Sequence, residues 1–508
     1  MLEENQVIPT NWPERELLRT KGQFWTPSWI SEAMVSYLLH QNGTSIFDPA
    51  VGPGTFFRAA KHVAEELGRN VELLGYEIDP TIFQEGTKLG LTEADFQQVK
   101  VSDFLLNPPE ELFPAIIANP PYIRHHRLSA EQKTYLKSLS KKILGWAIDG
   151  RAGIHVYFFI QSLILLQPDG RLAFIMPADT CEGIFAARLW LWILTHYRLD
   201  AVISFAPGAS PFPKVDTNPL IFLIKNAPPS DTFFWVLCNT EGTDTLKEWI
   251  RGEFQGPSNE DLTIYPRFVA EALETGLSRK PSLATKSKYT LKDFAKVVRG
   301  IATGANDFFF LTRQDAKNLN IPGEFLHSAV GRTRDVKEQI ITSNLMDALD
   351  EQGRPTLLVS FDGRPVSSFP EPVQKYIQHG VELGLPAKAL ISTRNPWYKM
   401  ETRLPPSILF AYLGRRNCRF ILNQAGVLPL TSFLAIYPLQ DSRDSLEKLW
   451  HLLNDPAVIA NLSLVGKSYG DGALKVEPRA LERLPIPDNL ISDIGLHRIK
   501  KSRNATLF

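Results

Sequence analysis

At 508 residues the chain exceeds what one hydrophobic core usually serves, so two or three domains are expected. Hydrophobic residues at 44% and charged residues at 22% exclude a disordered or fibrous class, and a net charge of zero gives no support by itself for a nucleic-acid partner. Three scattered cysteines, Cys181, Cys238 and Cys418, lack both the CxxC spacing of a zinc site and the density of a disulfide scaffold. No metal is expected, and a reducing, cytoplasmic setting fits.

The N-terminal MLEENQVIPTNWPERELLRTKGQ is acidic and polar where an export signal needs a basic start and an apolar run. From about Lys21 to Asn226, short apolar runs then alternate with helix-periodic segments. TSIFDP, VELLGYEID, PAIIANPPY, RLAFIMP, LDAVISF and NPLIFLIKN read as strands, several without polar alternation, as strands buried on both faces do. Between the first two, TFFRAAKHVAEELG sets Phe56, Ala59, Ala60, Val63 and Leu67 on one helical face. HVYFFIQSLILLQ, from His155 to Gln167, is too short to span a membrane and carries His and Gln, so it reads as a core helix. Strands joined by crossover helices predict an α/β, doubly wound, Rossmann-like sheet. After Asn226 the breaks APPSDT and GEFQGPSNED lead into irregular, aromatic and proline-rich sequence, which predicts a second, mixed α+β domain. The boundary is expected near residue 250, giving domains 1–250 and 251–508.

In SIFDPAVGPGTFFRAA a strand runs through a glycine turn into a helix, the place where a doubly wound sheet lets a ligand approach its backbone. Gly52 and Gly54 suit that approach. Glu77, at the end of LLGYEID, stands where such a sheet puts a carboxylate for ribose hydroxyls, with Asp79 beside it as a turn residue. Asp103 in VSDFLL follows another short apolar stretch, as a helix cap or as an acceptor for an adenine amine.

In IIANPPYIRHH a greasy strand ends on an amide, two prolines and an aromatic. Pro120 and Pro121 lack amide protons, stop sheet pairing and stiffen the strand end. That leaves the Asn119 side-chain oxygen and the Pro120 carbonyl as fixed acceptors for the two protons of an exocyclic amine, with the Tyr122 ring as a stacking surface.

The ordered set GQFWTP, DPAVGPG, YEID, SDF, NPPY and SPFPKV, spanning residues 21–226, resembles the TaqI-type gamma class of DNA adenine-N6 methyltransferases. The resemblance implies methyl transfer from S-adenosylmethionine to N6 of an adenine flipped out of duplex DNA. It implies that Thr26 and Pro27, with the loop Asp48, Ala50, Gly52 and Gly54, hold the cofactor's methionine end. Glu77 then takes the ribose and Asp103 the cofactor adenine. Asn119 and Pro120, with Pro121, form the catalytic element, Tyr122 stacks on the target base, and Phe212 lies against that base's edge or other face. Pro53 departs from a fully amide-lined loop by removing one backbone donor. Direct displacement at N6 needs acceptors that gather the amine protons, with no strong base or metal. A cytosine-N4 methyltransferase shares these needs and stays open as an alternative; a protein-glutamine methyltransferase and a non-catalytic DNA-binding specificity subunit are further rivals.

Beside the motif, Arg124, Arg127, Lys133, Lys137, Lys141, Lys142 and Arg151 face only Glu131 and Asp149, a charge balance suited to phosphates. The C-terminal half mixes Arg, Lys, Asn and aromatics with glycine turns in VVRGIATGANDFFFLT, ISTRNPWYKMETR, LGRRNCRF and VGKSYGDGALKVEP, and loosely resembles target-recognition regions of the same class. Arg394, Lys399, Arg415, Arg416 and Lys475 are the candidate base or phosphate contacts there. Double-stranded DNA is thus the expected partner, with a cognate restriction endonuclease as a separate chain. Fewer than 25 residues precede Thr26-Pro27, so no nuclease domain is expected at that end.

Overall fold

The apolar runs assemble into a nine-stranded sheet: β1 (Ser45–Asp48), β2 (Glu72–Glu77), β3 (Val99–Val101), β4 (Phe113–Ala118), β5 (Leu166–Pro177), β6 (Arg198–Phe205), β7 (Pro219–Lys225), β8 (Thr232–Cys238) and β9 (Leu262–Phe268). The computed structural model describes residues 25–39, 44–181, 185–212, 218–281, 287–411, 418–440, 442–468 and 474–494. The strand order is β3-β2-β1-β4-β5-β7-β6-β8-β9. From β3 to β5 all neighbours are parallel; β7 runs antiparallel to β5 and β6, and β9 to β8. The carboxyl ends of β3, β2, β1, β4 and β5 therefore share one edge. Chain order grows outward in one direction from β1 to β3 and in the other from β4, so the switch point lies between β1 and β4.

Helices that cover the sheet include α1 (Ser28–Leu38), α2 (Thr55–Glu66), α3 (Ala130–Leu144), α4 (Ile154–Leu163), α5 (Ala186–His196) and α6 (Thr245–Arg251). Alternate strand residues serve opposite cores. Ile117 and Ile175 pack with Ile30, Met34 and Phe56 from α1 and α2 and Trp249 from α6, whereas Ile116 and Phe174 pack with Leu136, Phe159 and Trp190 from α3, α4 and α5. Two buried faces explain the unbroken apolar strands, each large side chain contributing about 1.5–3 kcal/mol. Gly75 pairs with Asp48 across β1 and β2, and a Cβ there would lie 2.3 Å from Val51 Cγ2 and 2.7 Å from the Asp48 carbonyl.

Leu67 departs from expectation: it caps the end of α2 and is 39% exposed, outside the packed face. The run from His155 to Gln167 is also divided, with helix to Leu163 and strand from Leu166. The chain's compact units are Met1–Pro281 and Ser282–Phe508, so residue 250 falls inside α6 and β9 still belongs to the first sheet. Arg267, 1% exposed, fastens the end of this unit. Its guanidinium donates to Glu271 (2.6 Å), Thr275 Oγ1 (2.6 Å) and the carbonyls of Leu277 (3.0 Å) and Arg279 (2.6 Å).

The second unit is mixed α+β. Ala295–Arg299, Phe433–Pro438, Ile408–Ala411, Arg419–Asn423 and Ile340–Ile341 form a five-stranded sheet in that order, and a four-stranded sheet joins Phe310–Leu311, Leu357–Val359, Leu326–Val330 and Leu428–Pro429. Among the described residues no helix is long and apolar enough to cross a membrane.

Candidate active site

At the end of β1, Asp48 turns back so that Oδ1 accepts from the Ala50 amide at 2.9 Å. The next residues are tied to β2: the Val51 amide donates to the Tyr76 carbonyl (3.0 Å) and the Gly52 amide to Glu77 Oε2 (2.8 Å). Gly52 and Gly54 adopt positive φ, 56° and 86°, conformations that side chains resist, and Gly54 caps α2. Asp48 is fully buried and its Oδ2 has no hydrogen-bond partner. Burial pushes its carboxyl up to about 8; the Ala50 amide opposes that shift and the neighbouring Glu77 charge adds to it. A buried acceptor of this kind is completed by a cation, and the ammonium of an amino-acid moiety fits it.

Glu77 is 7% exposed, and its Oε1 accepts from the amides of Ile78 and Asp79, both at 2.9 Å. Three amide partners hold the carboxylate rigid and leave Oε2 still open to a hydroxyl donor. Asp79 is the turn residue expected, accepting from the Thr81 amide at 3.2 Å. Asp103 Oδ1 accepts from Leu105 (2.8 Å) and Leu106 (3.1 Å), closing the turn after β3. Sequence reasoning passed over two neighbours: Ile78 is 67% and Leu106 55% exposed, apolar surface at the same sheet edge.

β4 delivers Asn119 beside the segment that opens α1. Asn119 Nδ2 donates to Thr26 Oγ1 at 3.2 Å, which orients the amide with its nitrogen towards the 2% exposed Thr26. Pro27 opens α1, its carbonyl accepting from Ile30 and Ser31. Pro120 is buried and Pro121 half-buried. Tyr122 is less bare than its sequence implies. It is half-buried and its hydroxyl donates to the Ile175 carbonyl of β5 at 3.0 Å. Burial, with the Asp179 charge, holds the phenol well above its ordinary range, so it stays protonated. Phe212, 4% exposed, packs within the core on the α1 and α2 face and meets the Tyr122 ring edge-on at 6.4 Å.

The edge also holds a pair that sequence reasoning missed. His155, the second residue of α4, stands edge-on to Tyr122 with ring centroids 5.9 Å apart. Its Nε2 is 3.6 Å from Asp179 Oδ1, in the turn after β5. A histidine opening a largely apolar helix was the available signal.

Comparison with known proteins bears on the chain as a whole. Residues 15–242 match the N-6 DNA methylase family model, and residues 279–506 match the C-terminal domain of Type II methyltransferase M.Eco57I. Type II methyltransferase M.AccI of Acinetobacter calcoaceticus is 26% identical over 496 residues, 94% of this chain and 86% of that protein. M.XamI of Xanthomonas campestris pv. amaranthicola is 26% identical over 486 residues, 92% of this chain and 85% of that one. The chain is a DNA methyltransferase of the restriction-modification type, with an N-6 DNA methylase domain and an Eco57I-type C-terminal domain. The Type IIL restriction-modification enzyme MmeI, solved in complex with DNA, shares the fold at a TM-score of 0.56 and 12% identity; the match covers 93% of this chain and 64% of that one.

In the methylase domain the expected phosphate-facing cations are on the surface. Arg124 and Arg127 are exposed just after the motif. Lys137, Lys141 and Lys142 are exposed on α3, whose Leu136, Leu139 and Leu144 face the core. Arg151 is paired with Asp149. Among the described residues one group, Glu32, His62 and Glu66, has metal-ligand spacing, but its carboxylates are already paired with cations: the Lys247 ammonium sits 3.0 Å from Glu32 and 3.3 Å from Glu66, and Arg251 also pairs with Glu66.

The Eco57I-type domain corrects the expectations placed on it. Arg394 is half-buried, donating to the carbonyls of Ala302 (2.6 Å) and Thr303 (2.8 Å) under the ring of Phe309, so part of its guanidinium is engaged in packing within the domain. Phe308, Phe309, Phe310, Tyr398 and Met400, from stretches read as recognition surface, are core residues. Lys399 is exposed, as a contact would require. Arg415, Arg416 and the side chain of Lys475 lie outside the described residues.

Proposed function

We propose that this protein transfers the methyl group of S-adenosylmethionine to N6 of an adenine flipped out of duplex DNA, at a specific site, in the cytoplasm and as the modification half of a restriction-modification pair. The observation that carries the reading is the orientation of Asn119. Its amide nitrogen donates to Thr26 at the end of a parallel strand, which assigns the acceptor role to its oxygen; the Pro120 carbonyl would be the second acceptor. Two rigid acceptors gather both protons of an amine and disperse the positive charge that grows on nitrogen as it is methylated.

When bound, the cofactor supplies an activated methyl group on a positively charged sulfur. Asp48, with Ala50, Gly52, Gly54, Thr26 and Pro27, would hold its methionine end, Asp48 Oδ2 meeting the ammonium. Glu77 would take the ribose hydroxyls and Asp103 the adenine amine, with exposed Ile78 and Leu106 offering apolar surface to the ring. Tyr122, pinned through its hydroxyl, would stack on the target base, with Phe212 at its edge; such stacking offsets the few kcal/mol spent on flipping. The exposed cations of α3, with Arg124 and Arg127, would grip phosphates, and the second unit would read the site.

The test is incorporation of labelled methyl from S-adenosylmethionine into duplex DNA, followed by long-read sequencing of DNA from cells expressing the protein. N6-methyladenine in one recurrent sequence context is expected. Methyl-cytosine alone would replace this reading with its N4 alternative, and no transfer to a mixed-sequence genome would end both.

A further inference from the structure

Methylation of an exocyclic amine makes a proton that has to leave. Once the N6 lone pair has formed the new N–C bond, the S–CH3 bond having broken with its electron pair left on sulfur, the nitrogen carries a positive charge until one N–H bond breaks and returns its electron pair. The amine's acceptors under the proposed function, Asn119 and Pro120, offer carbonyl oxygens, which accept hydrogen bonds but are too weakly basic to carry a proton away. Tyr122 is committed as a donor to Ile175.

His155 supplies what these groups lack. It is 4% exposed, and neither Nδ1 nor Nε2 has a hydrogen-bond partner. Leaving buried polar groups unpaired costs on the order of 1–3 kcal/mol, and a histidine kept only for packing would ordinarily spend at least one ring nitrogen on a neighbour. Its place is fixed: the Ile154 amide donates to the Ile123 carbonyl at 3.1 Å, just after the motif, and Gly153 leaves room for the ring. A Cβ at Gly153 would lie 2.6 Å from the imidazole Cε1. On its other side Nε2 is 3.6 Å from Asp179 Oδ1, whose side chain is 64% exposed. The pair joins a dry ring against Tyr122 to water.

We propose that His155 is the proton acceptor of the reaction, taking the N6 proton directly or through one water, and that Asp179 orients the imidazole and leads the proton to solvent. The inference rests on the proposed transfer to adenine N6. The N6–H bond breaks and its electron pair stays on nitrogen, giving neutral N6-methyladenine. The proton bonds to the unprotonated ring nitrogen, and the Asp179 carboxylate offsets the imidazolium charge. Loss of one proton to water restores the neutral ring.

His155→Asn and His155→Gln keep a polar side chain without a base, and His155→Ala opens a space for added imidazole. In the full-length protein, single-turnover transfer by the first two should fall about 100-fold, with S-adenosylmethionine and duplex affinities within about twofold of wild type. Fluorescence of 2-aminopurine at the target position should still report flipping. Imidazole should restore the His155→Ala rate about tenfold, and Asp179→Asn should cost about tenfold without rescue. Independently of turnover, the His155 ring resonance, assigned by its loss in His155→Asn, should shift when duplex is added with the non-transferring analogue sinefungin.

A wild-type rate in His155→Asn overturns the inference while leaving adenine methylation standing. So does a slowed variant that has lost base flipping and gains nothing from imidazole, because His155 is then a packing residue. A wild-type enzyme that methylates no adenine overturns the proposed function, and this inference with it.

Discussion

Asn119-Pro120-Pro121-Tyr122 in the first unit and Asn395-Pro396-Trp397-Tyr398 in the second are near neighbours as words, and the fold uses them in opposite ways. Both tyrosines donate to a carbonyl, Tyr122 to Ile175 and Tyr398 to Arg364 at 2.7 Å. Asn119, however, ends a parallel strand at the switch point and is oriented by Thr26, whereas Asn395 follows a single 3-10 turn and faces solvent. Trp397 packs on Phe308, and Arg394 next to it is consumed by two backbone carbonyls. Under the proposed function, reactive chemistry follows from where a strand end orients its acceptors, and the same residue types away from such an end are building material.

That contrast is open to direct attack. The largest effect should come from Asn119→Ala, which removes an acceptor needed only as charge develops: methyl transfer should drop by about 100- to 1,000-fold while calorimetry still detects cofactor binding. Loss of both would make Asn119 structural, like Asn395.

Asp48→Asn should weaken S-adenosylmethionine binding about tenfold or more by removing the carboxyl that would ionise against the cofactor's ammonium. It also carries a pH signature. The folded protein holds the Asp48 proton up to about pH 8, whereas an unfolded carboxyl loses it near about pH 4. Between those limits the folded state binds more protons, so the ligand-free protein loses stability as pH rises. Thermal melts across that window should show the decline in wild type and a flatter course, with a higher Tm near pH 8, in Asp48→Asn.

Arg394→Ala should cost about 2 kcal/mol in unfolding of the second unit, from two lost hydrogen bonds to carbonyls and a ring contact, without changing how DNA binding responds to salt. A changed salt slope at constant Tm would restore Arg394 to the DNA surface. The smallest effects belong to Lys141→Gln and Lys142→Gln. Each should leave Tm unchanged and lower the salt slope of duplex binding by about 1, measured by fluorescence anisotropy.

The first sheet was legible because parallel strands buried on both faces announce themselves by composition, and because a turn, an acid or an amide at the strand end is local in sequence. β3, β8 and β9 were not read. β3 is short and partly exposed, and β9 contains Pro266 and Arg267, which argue against a strand until the edge position is known. His155 was hidden inside a run whose average is apolar. In the second unit the partners that turn Arg394 from a contact into a strut, Ala302 and Thr303, lie some 90 positions away in the chain. Such pairings are tertiary facts with no local trace.

The Arg267 clamp bears on how chimaeras of this enzyme should be built. An exchange of C-terminal halves between relatives needs a seam, and composition alone would put it near residue 250. A cut there would strip β9 from β8 and leave Phe233, Trp235 and Leu237 without their strand neighbours. It would also discard the guanidinium that gathers Glu271, Thr275, Leu277 and Arg279 into one knot. The seam belongs after Pro281, where the donor half can be replaced with the last strand of the recipient still stitched in place.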